Sequence, residues 1–309
     1  MSVAVPPQGA IYPGARDGAA MPGAVDAHHH VWSLARGDYG WLTPALAPIY
    51  RDYTLADLRP HLAAAGIAAT ILVQAAPTVA ETRFLLDVAK HSEGRVGGVV
   101  GWVDLAAADA PTLLRALARD SALKSVRPML QDEDDPRWIL RADVACTLAV
   151  LPELGLRFDA LVKPRELPAL LGMLARHPDL DVVIDHGGKP PIASGSHEPW
   201  RTLIREAAAH PRVCCKLSGL LTEAPPGASV AALRPWVDPL IESFGASRLM
   251  WGSDWPVVEL AAPYGQWHDA AHALVAHLTL AERDDIFGGT ARRFYGLGAG
   301  AVPGSVSPG

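Results

Sequence analysis

Eight short runs of apolar residues recur along the chain, and within each run the apolar positions are continuous rather than alternating with polar ones. A continuous apolar run of this length is typical of a β-strand buried on both faces, as in a parallel sheet. Each run therefore predicts one strand. The runs cover residues 24–32, 69–75, 96–104, 123–130, 156–162, 181–188, 213–219 and 248–256.

Amphipathic segments with helical spacing lie between these runs. The first of them, 54–66, begins at Thr54, a favourable N-cap, and ends at Gly66, a favourable C-cap. Strands that alternate with helices form parallel sheets, and eight such units fit one closed barrel. We therefore expect a single (β/α)8 (TIM) barrel over residues 24–297. The other predicted helices cover 78–94, 136–155, 165–177, 197–210, 229–245 and 264–279.

The two ends of the chain differ from this core in composition. Residues 1–23 are rich in Pro, Gly and Ala and lack the basic start and apolar run of a signal peptide, so they predict a flexible lead-in. Residues 298–309 are rich in Gly, Pro and Ser and predict a flexible tail. We expect a cytoplasmic protein.

Charge and cysteine content narrow the possible partners. The 27 Lys and Arg residues against 33 Asp and Glu residues give a net charge of -6. The basic residues form no run, and no apolar stretch reaches the ~18 residues of a membrane helix. We therefore expect neither a nucleic acid nor a membrane as partner.

The cysteines are too few for a disulfide framework, and Cys146, Cys214 and Cys215 are expected to be small buried residues.

The first run carries three consecutive histidines. In a strand of period two, Asp26, His28, His30 and Trp32 share one face, and His29 points to the other. Two imidazoles at i and i+2 can hold one cation, which predicts a metal site. The alternative is that the histidines only fill core space, which is costly unless their nitrogens are hydrogen-bonded.

Two later runs end in further candidates. His186 lies near the end of the sixth run and is a plausible third ligand, although a structural histidine in a tight turn fits equally well. Asp254 lies near the end of the eighth run, where a carboxylate near a cation could act as metal ligand and as proton shuttle. An ordinary helix N-cap is the alternative for Asp254, but Trp255 and Pro256 come before any helical pattern.

A last group of side chains could bind substrate. Arg127 and Lys216 lie inside apolar runs, where a charge needs a partner or a cavity. Internal salt bridges or hydrogen bonds are the alternative for these charges. Core packing is the alternative for the aromatic residues, and no GxSxG nucleophile motif is present. The other candidates at strand ends are Gln74, Trp102, Asp159, Trp32 and Trp255.

Taken together, these motifs resemble the amidohydrolase-2 branch of the amidohydrolase superfamily, and in particular the group of L-fuconolactonase and related sugar lactonases. The resemblance extends over residues 24–297. It is carried by the HxH of His28 and His30, by DHGGKP (185–190), CKLSGL (215–220) and GSDWPV (252–257), and by GWVDL (101–105), LQDE (130–133), SGLLTEA (218–224) and GGTARRFYGL (288–297).

The resemblance implies a (β/α)8 hydrolase that opens a small sugar-acid lactone, acting as a monomer or homodimer. It implies a centre of His28, His30, His186 and Asp254 around one divalent metal, for which Zn2+ is the preferred identity and Mn2+ or metal independence stays open. Asp254 would activate water and then protonate the leaving oxygen. His186 and Arg127 would complete the catalytic set, with Arg127 assisting at the carbonyl.

One position departs from the group. Members of the fuconolactonase type carry a histidine directly after the strand arginine, whereas Pro128 follows Arg127 here. The identity of the lactone is therefore open, and L-rhamnonolactone, a pyrone dicarboxylate or a sulfomuconolactone are alternatives. A metal-dependent decarboxylase of the same branch and a sugar-acid binding protein without turnover are the other functions to be tested.

Overall fold

The computed structural model describes residues 23–298 of the 309-residue chain. The predicted lead-in and the predicted tail therefore lie outside the described residues, except for Gly23 and Gly298. Between them the chain folds as alternating strands and helices. Within residues 23–298, no helix has both the length and the apolar character needed to cross a bilayer.

Eight parallel strands form one sheet in sequential order, each hydrogen-bonded to the next. The sheet is closed where the first strand meets the last: His30 N donates to Trp255 O (2.7 Å) and Asp254 N donates to His28 O (2.8 Å). The predicted (β/α)8 barrel is confirmed. The strands are β1 (Val25–His29), β2 (Ala69–Val73), β3 (Val96–Gly101), β4 (Leu123–Val126), β5 (Arg157–Ala160), β6 (Val182–Ile184), β7 (Val213–Leu217) and β8 (Leu249–Trp251).

The helices pack around this barrel. As predicted, α1 begins after Thr54, which forms a capping box with Asp57, and ends at Gly66 with φ 69°. The helices are α1 (Leu55–Ala65), α2 (Val79–Lys90), α3 (Ala110–Leu117), α4 (Ala142–Leu148), α5 (Val150–Glu153), α6 (Leu167–Arg176), α7 (Trp200–Ala208), α8 (Leu220–Glu223), α9 (Val230–Phe244), α10 (Tyr264–Leu274), α11 (Leu280–Asp284) and α12 (Thr290–Tyr295).

Some helix predictions need correction. The helix predicted over 136–155 is a 3-10 turn, Trp138–Leu140, followed by the short α4 and α5. The predicted helix 264–279 ends at Leu274, and the short helices α3, α8, α11 and α12 were not predicted at all. Short helices of this kind are stabilised by packing against the barrel more than by their own periodicity.

The prediction that the cysteines are buried holds for Cys215, but Cys146 is exposed and Cys214 is only partly buried.

Strand β1 departs from strict alternation. Its register with β2 shifts between Asp26 and His29, as in a β-bulge. The prediction that Asp26 and His28 share a face is therefore wrong. Asp26 accepts a hydrogen bond from the Tyr264 hydroxyl of the outer helix α10 (3.1 Å), whereas His28 turns to Lys216 Nζ (3.2 Å). The bulge thus points His28 to the polar interior of the barrel.

The last helix closes one end of the barrel. Phe294 and Tyr295 of α12 pack with Val25, Ala27 and Val100 in an apolar cluster. The Tyr295 hydroxyl donates to Asp159 Oδ2 of β5 (2.8 Å). The opposite end, at the carboxyl ends of the strands, is left for the candidate site.

Candidate active site

The four predicted metal ligands come from the carboxyl ends of three strands. His28 and His30 belong to the end of β1, His186 follows β6, and Asp254 follows β8. All four side chains are buried. In barrels of this type the carboxyl ends of the strands carry the active site.

These four side chains meet around one point. His28 Nε2 lies 3.3 Å from His30 Nε2, and Asp254 Oδ1 lies 3.4 Å from His30 Nε2 and 3.7 Å from His28 Nε2. His186 Nε2 is 3.9 Å from the same carboxylate oxygen. The structure therefore brings together the residues that the sequence singled out, while their role as metal ligands stays a prediction.

Hydrogen bonds and pKa values determine which ring nitrogens of these histidines are able to bind a cation. His30 Nδ1 lies 2.8 Å from the Val73 carbonyl, which can only accept, so Nδ1 carries the proton and Nε2 presents a lone pair. Burial lowers the pKa of His186 to about 4, and burial together with Lys216 lowers the pKa of His28 well below its usual range. His30 Nε2 can therefore offer a lone pair to a cation bound beside Asp254, and His186 is uncharged at neutral pH.

The donor set fits a divalent metal. His28, His30 and Asp254 can each offer one ligand atom within 4.8 Å of the others, and so can His28, Asp185 and His186. Two imidazole nitrogens and one carboxylate oxygen are ligands that Zn2+ accepts in catalytic sites. The hydrogen bond from His30 Nδ1 to the Val73 carbonyl fixes the tautomer of His30 and leaves its Nε2 available to a metal.

Backbone conformation also marks this site. His186 (φ 54°) and Asp254 (φ 57°) lie in the left-handed region, where non-glycine residues are uncommon. Close packing holds His186 in place: a Cβ added to Gly219 would lie 2.5 Å from His186 Nδ1. His186 Nδ1 is also 2.9 Å from the Ser218 hydroxyl. Such strain persists only where surrounding contacts impose it.

Arg127 lies beside the cluster. Its Nη1 donates to Asp185 Oδ2 (3.2 Å) and lies 3.4 Å from His28 Nε2, and its Nη2 donates to the Gln74 carbonyl. The Gln74 amide nitrogen in turn donates to the Arg127 carbonyl (2.9 Å). The structure thus joins Arg127 and Gln74 to the centre. Asp185, which sequence reasoning did not select, could have been found from its place between a strand end and His186.

Lys216 and Asp159 form an ion pair inside the barrel. Lys216 Nζ lies 2.5 Å from Asp159 Oδ2, 3.0 Å from Asp185 Oδ1 and 3.2 Å from His28 Nδ1, and both residues are fully buried. These contacts favour the internal salt bridge that the sequence left open. Direct substrate binding by Lys216 or Asp159 stays a prediction.

The tryptophans at strand ends fall into two groups. Trp32 and Trp255 are fully buried, and their indole N–H groups donate to Arg51 O (2.7 Å) and Glu259 Oε1 (2.8 Å). Both therefore form the wall behind the site, and their contact with substrate is untested. Trp102 is partly exposed and lines a cavity of about 710 Å3 whose wall includes Pro128 and Met129, the two residues after Arg127.

Sequence reasoning missed most of this cavity's lining. Trp41 and Trp138 lie there, together with acidic residues that follow β3 and β4. The sequence signal for them was an aromatic or acidic residue in one of the loops that follow the strands. Pro128, the position that departs from the resembling group, lies there as well.

Comparisons with known proteins agree with this architecture. The family model described as amidohydrolase matches residues 25–297. An L-fucono-1,5-lactonase of Burkholderia ambifaria is 46% identical over 275 residues, covering 88% of this chain and 94% of that protein. An L-fucono-1,5-lactonase of Burkholderia multivorans is 40% identical, covering 88% of this chain and 96% of that protein.

A solved structure is similar over the whole barrel. The crystal structure of an amidohydrolase from Burkholderia multivorans with bound zinc is 38% identical, with a TM-score of 0.84 over 89% of this chain and 99% of that chain. The family match spans nearly all described residues, including every candidate ligand. The chain belongs to the amidohydrolase family.

Proposed function

We propose that the protein hydrolyses a small sugar-acid lactone, such as L-fuconolactone or L-rhamnonolactone, by attack of water on the ring carbonyl. The observation that carries the proposal is the meeting of His28, His30, His186 and Asp254 around one point at the carboxyl end of the barrel. The two relatives named L-fucono-1,5-lactonase, each above 30% identity over nearly their full length, support the substrate class.

Zn2+ is the metal that we propose for this centre, held by His28, His30 and Asp254 with His186 beside them. The mixed nitrogen and oxygen donor set and the zinc-bound relative support this identity. When bound, a divalent ion would supply Lewis acidity for the carbonyl and lower the pKa of nearby water.

Asp254 would act as general base and then as general acid. Burial alone would raise the pKa of this carboxyl, but the facing His186, which is charged in the acidic range where a carboxyl titrates, holds it below its usual range, so the group is ionised at neutral pH and can accept a proton. It would take the proton of the attacking water and return it to the ring oxygen as the C–O bond breaks. The ring opens to a hydroxy acid.

Arg127 would orient the lactone carbonyl. Its Nη1 and Nη2 are engaged by Asp185 and Gln74, which fixes the guanidinium plane next to His28. A positive charge held in a buried site stabilises the negative charge that develops on the carbonyl oxygen as water attacks. Lys216 balances the charge of Asp159 and Asp185 behind the site.

The test is replacement of Asp254. Asp254→Asn keeps the size of the side chain and removes the base, so we expect kcat on a panel of lactones to fall about 10²–10⁴-fold with the fold retained. Acid release followed with a pH indicator measures turnover, and metal analysis before and after chelation measures the ion. Asp284→Asn, on the exposed surface of α11, is the matched control. Near-normal turnover in Asp254→Asn would refute the proposed role.

A decarboxylase is the less supported alternative. Release of CO2 from an aromatic or muconate acid, with no acid release from any lactone, would favour it. A binding protein without turnover would bind lactones and release no acid from them. Acid release, CO2 release and lactone binding, measured together, therefore separate the three functions.

A further inference from the structure

The cavity of about 710 Å3 is lined by residues that follow strands β1 to β4. Its wall includes Pro128, which directly follows Arg127 in the chain. It also includes Met129, whose sulfur lies 3.1 Å from the Gln74 amide nitrogen. A lactone whose carbonyl lies at Arg127 would therefore extend its remaining carbons into this cavity.

Aromatic side chains form part of the wall. Trp41, Trp102 and Trp138 line the cavity, and Trp41 is held by a hydrogen bond from its indole nitrogen to the Ala75 carbonyl (2.7 Å). Flat apolar surfaces with a few polar groups are typical of sites that bind small organic ligands. The C–H face of a saturated sugar ring matches such a surface.

The polar groups of the wall are mainly carboxylates. Asp104, Asp132 and Glu133 line the cavity, and Glu133 is partly buried with no hydrogen bond or ion pair to its carboxylate anywhere in residues 23–298. Burial and the nearby Asp104 raise the pKa of Glu133. Arg141, the basic residue of this wall, donates to Asp143 at 3.0 and 2.6 Å, and its charge also lowers the pKa of Glu133. The lining still holds more carboxylates than basic groups, so its net charge is negative.

One further acceptor is free at the border with the catalytic cluster. Gln74 is fully buried, and its side-chain oxygen has no hydrogen-bond partner within residues 23–298. A buried polar atom without a partner is costly, and a hydroxyl group of a ligand would satisfy it. Hydrogen-bond acceptors without a partner thus occur both at Gln74, near the catalytic cluster, and at Glu133, in the cavity wall.

On the basis of the proposed lactone hydrolysis, we propose that this cavity binds the hydroxyl-bearing carbons of an uncharged lactone. In this proposal Glu133 and Asp104 determine the preference for an uncharged lactone over one that carries a carboxylate. Carboxylates accept hydrogen bonds from hydroxyl groups and repel a second carboxylate. The two residues would therefore favour neutral polyhydroxy lactones over lactones that carry an acid group.

The experiment compares two lactones that differ only at one end, D-glucono-1,4-lactone and D-glucaro-1,4-lactone. Both are titrated by tryptophan fluorescence into Asp254→Asn, in which turnover is expected to be strongly reduced, with and without the double change Glu133→Gln and Asp104→Asn. The ratio of the two Kd values should shift by about tenfold or more towards the acid-bearing lactone when both charges are removed. The matched control is Asp179→Asn, an exposed residue on the α6–β6 connection.

An unchanged ratio in the double variant, or an equal shift in the control, would overturn the specificity proposal. Because this experiment measures binding, the two Kd values can be compared even when neither lactone is hydrolysed. Failure of the proposed function would instead appear as absence of lactone hydrolysis by the unaltered protein. The two failures are therefore distinguishable.

Discussion

At the scale of single residues, Glu81 shows how a buried carboxylate can organise the site from behind. Its two oxygens accept hydrogen bonds from the backbone N–H groups of Ala75 (3.0 Å) and Ala76 (2.7 Å). These peptides follow Gln74, whose carbonyl accepts from Arg127. Glu81 therefore fixes the short segment that orients the arginine.

Glu81 also gives a pH dependence. Burial raises its pKa to about 7, above the ordinary value of 4.5. The folded state then binds a proton more tightly than the unfolded state, so this carboxyl's contribution to stability is fully present below pH 4.5 and is lost as the pH rises to 7. We expect the free energy of unfolding of the native protein, relative to Glu81→Gln, to fall by roughly 3 kcal/mol over that range.

Urea unfolding at a series of pH values measures this difference. The neighbouring charges of Asp38 and Arg127 are present in both proteins and largely cancel in the comparison. Glu153→Gln, with a side chain 66% exposed, is the matched control and should show no such slope. A difference between the two proteins that does not vary with pH would show that the Glu81 pKa is ordinary.

At the scale of elements, the seam between β8 and β1 positions half of the cluster. The backbone of Gly252 passes so close to β1 that an added Cβ would lie 2.7 Å from His28 Cβ and 3.0 Å from His28 N. Asp26 holds the same seam through a hydrogen bond from Ser253 N (2.8 Å). The positions of His28 and Asp254 are therefore fixed by one tight contact between two strands.

Gly252→Ala should displace His28. Because the clash involves backbone on both sides, we expect a loss of stability of about 1–3 kcal/mol and a clear fall in bound metal per chain. Metal analysis and thermal unfolding measure both effects. Gly265→Ala in α10, where an added Cβ meets nothing within 4 Å, should be neutral or slightly stabilising. Full metal content in Gly252→Ala would contradict this account of the seam.

At the scale of the whole molecule, a buried polar chain connects the two ends of the barrel. It runs from Tyr295 in the last helix through Asp159 and Lys216 to His28 and Asp185 at the site. Burial raises the pKa of Asp159, and the Lys216 ammonium is the nearest compensating charge. The last helix is therefore part of the support of the active site.

Lys216→Met should reveal this connection. It would leave Asp159 and Asp185 buried without their shared cation, and breaking a buried pair costs about 3–5 kcal/mol. Denaturant unfolding of Lys216→Met against Lys163→Met, an exposed lysine, measures the loss. Equal free energies of unfolding in the two variants would mean that the buried polar contacts between Tyr295 and the site contribute nothing to stability.

Much of this architecture was predictable because it depends on local patterns. Continuous apolar runs fix which segments are strands, and the caps Thr54 and Gly66 fix helix ends. His28, His30, His186 and Asp254 were each candidates from their place at strand ends, and the resemblance to the sugar lactonase group joined them into one centre. The short helix α3 and the split of 136–155 were not predictable, since contacts with the barrel stabilise them.

The sequence by itself determined the alternation of strands and helices, and with it the barrel and the end at which polar side chains collect. The tertiary structure decided which neighbours those side chains meet. The bulge that separates Asp26 from His28, the pairing of Lys216 with Asp159, and the acidic wall around Glu133 all depend on strands and loops far apart in the chain. Periodicity is a local property, whereas register and charge neighbourhood arise only when the barrel closes.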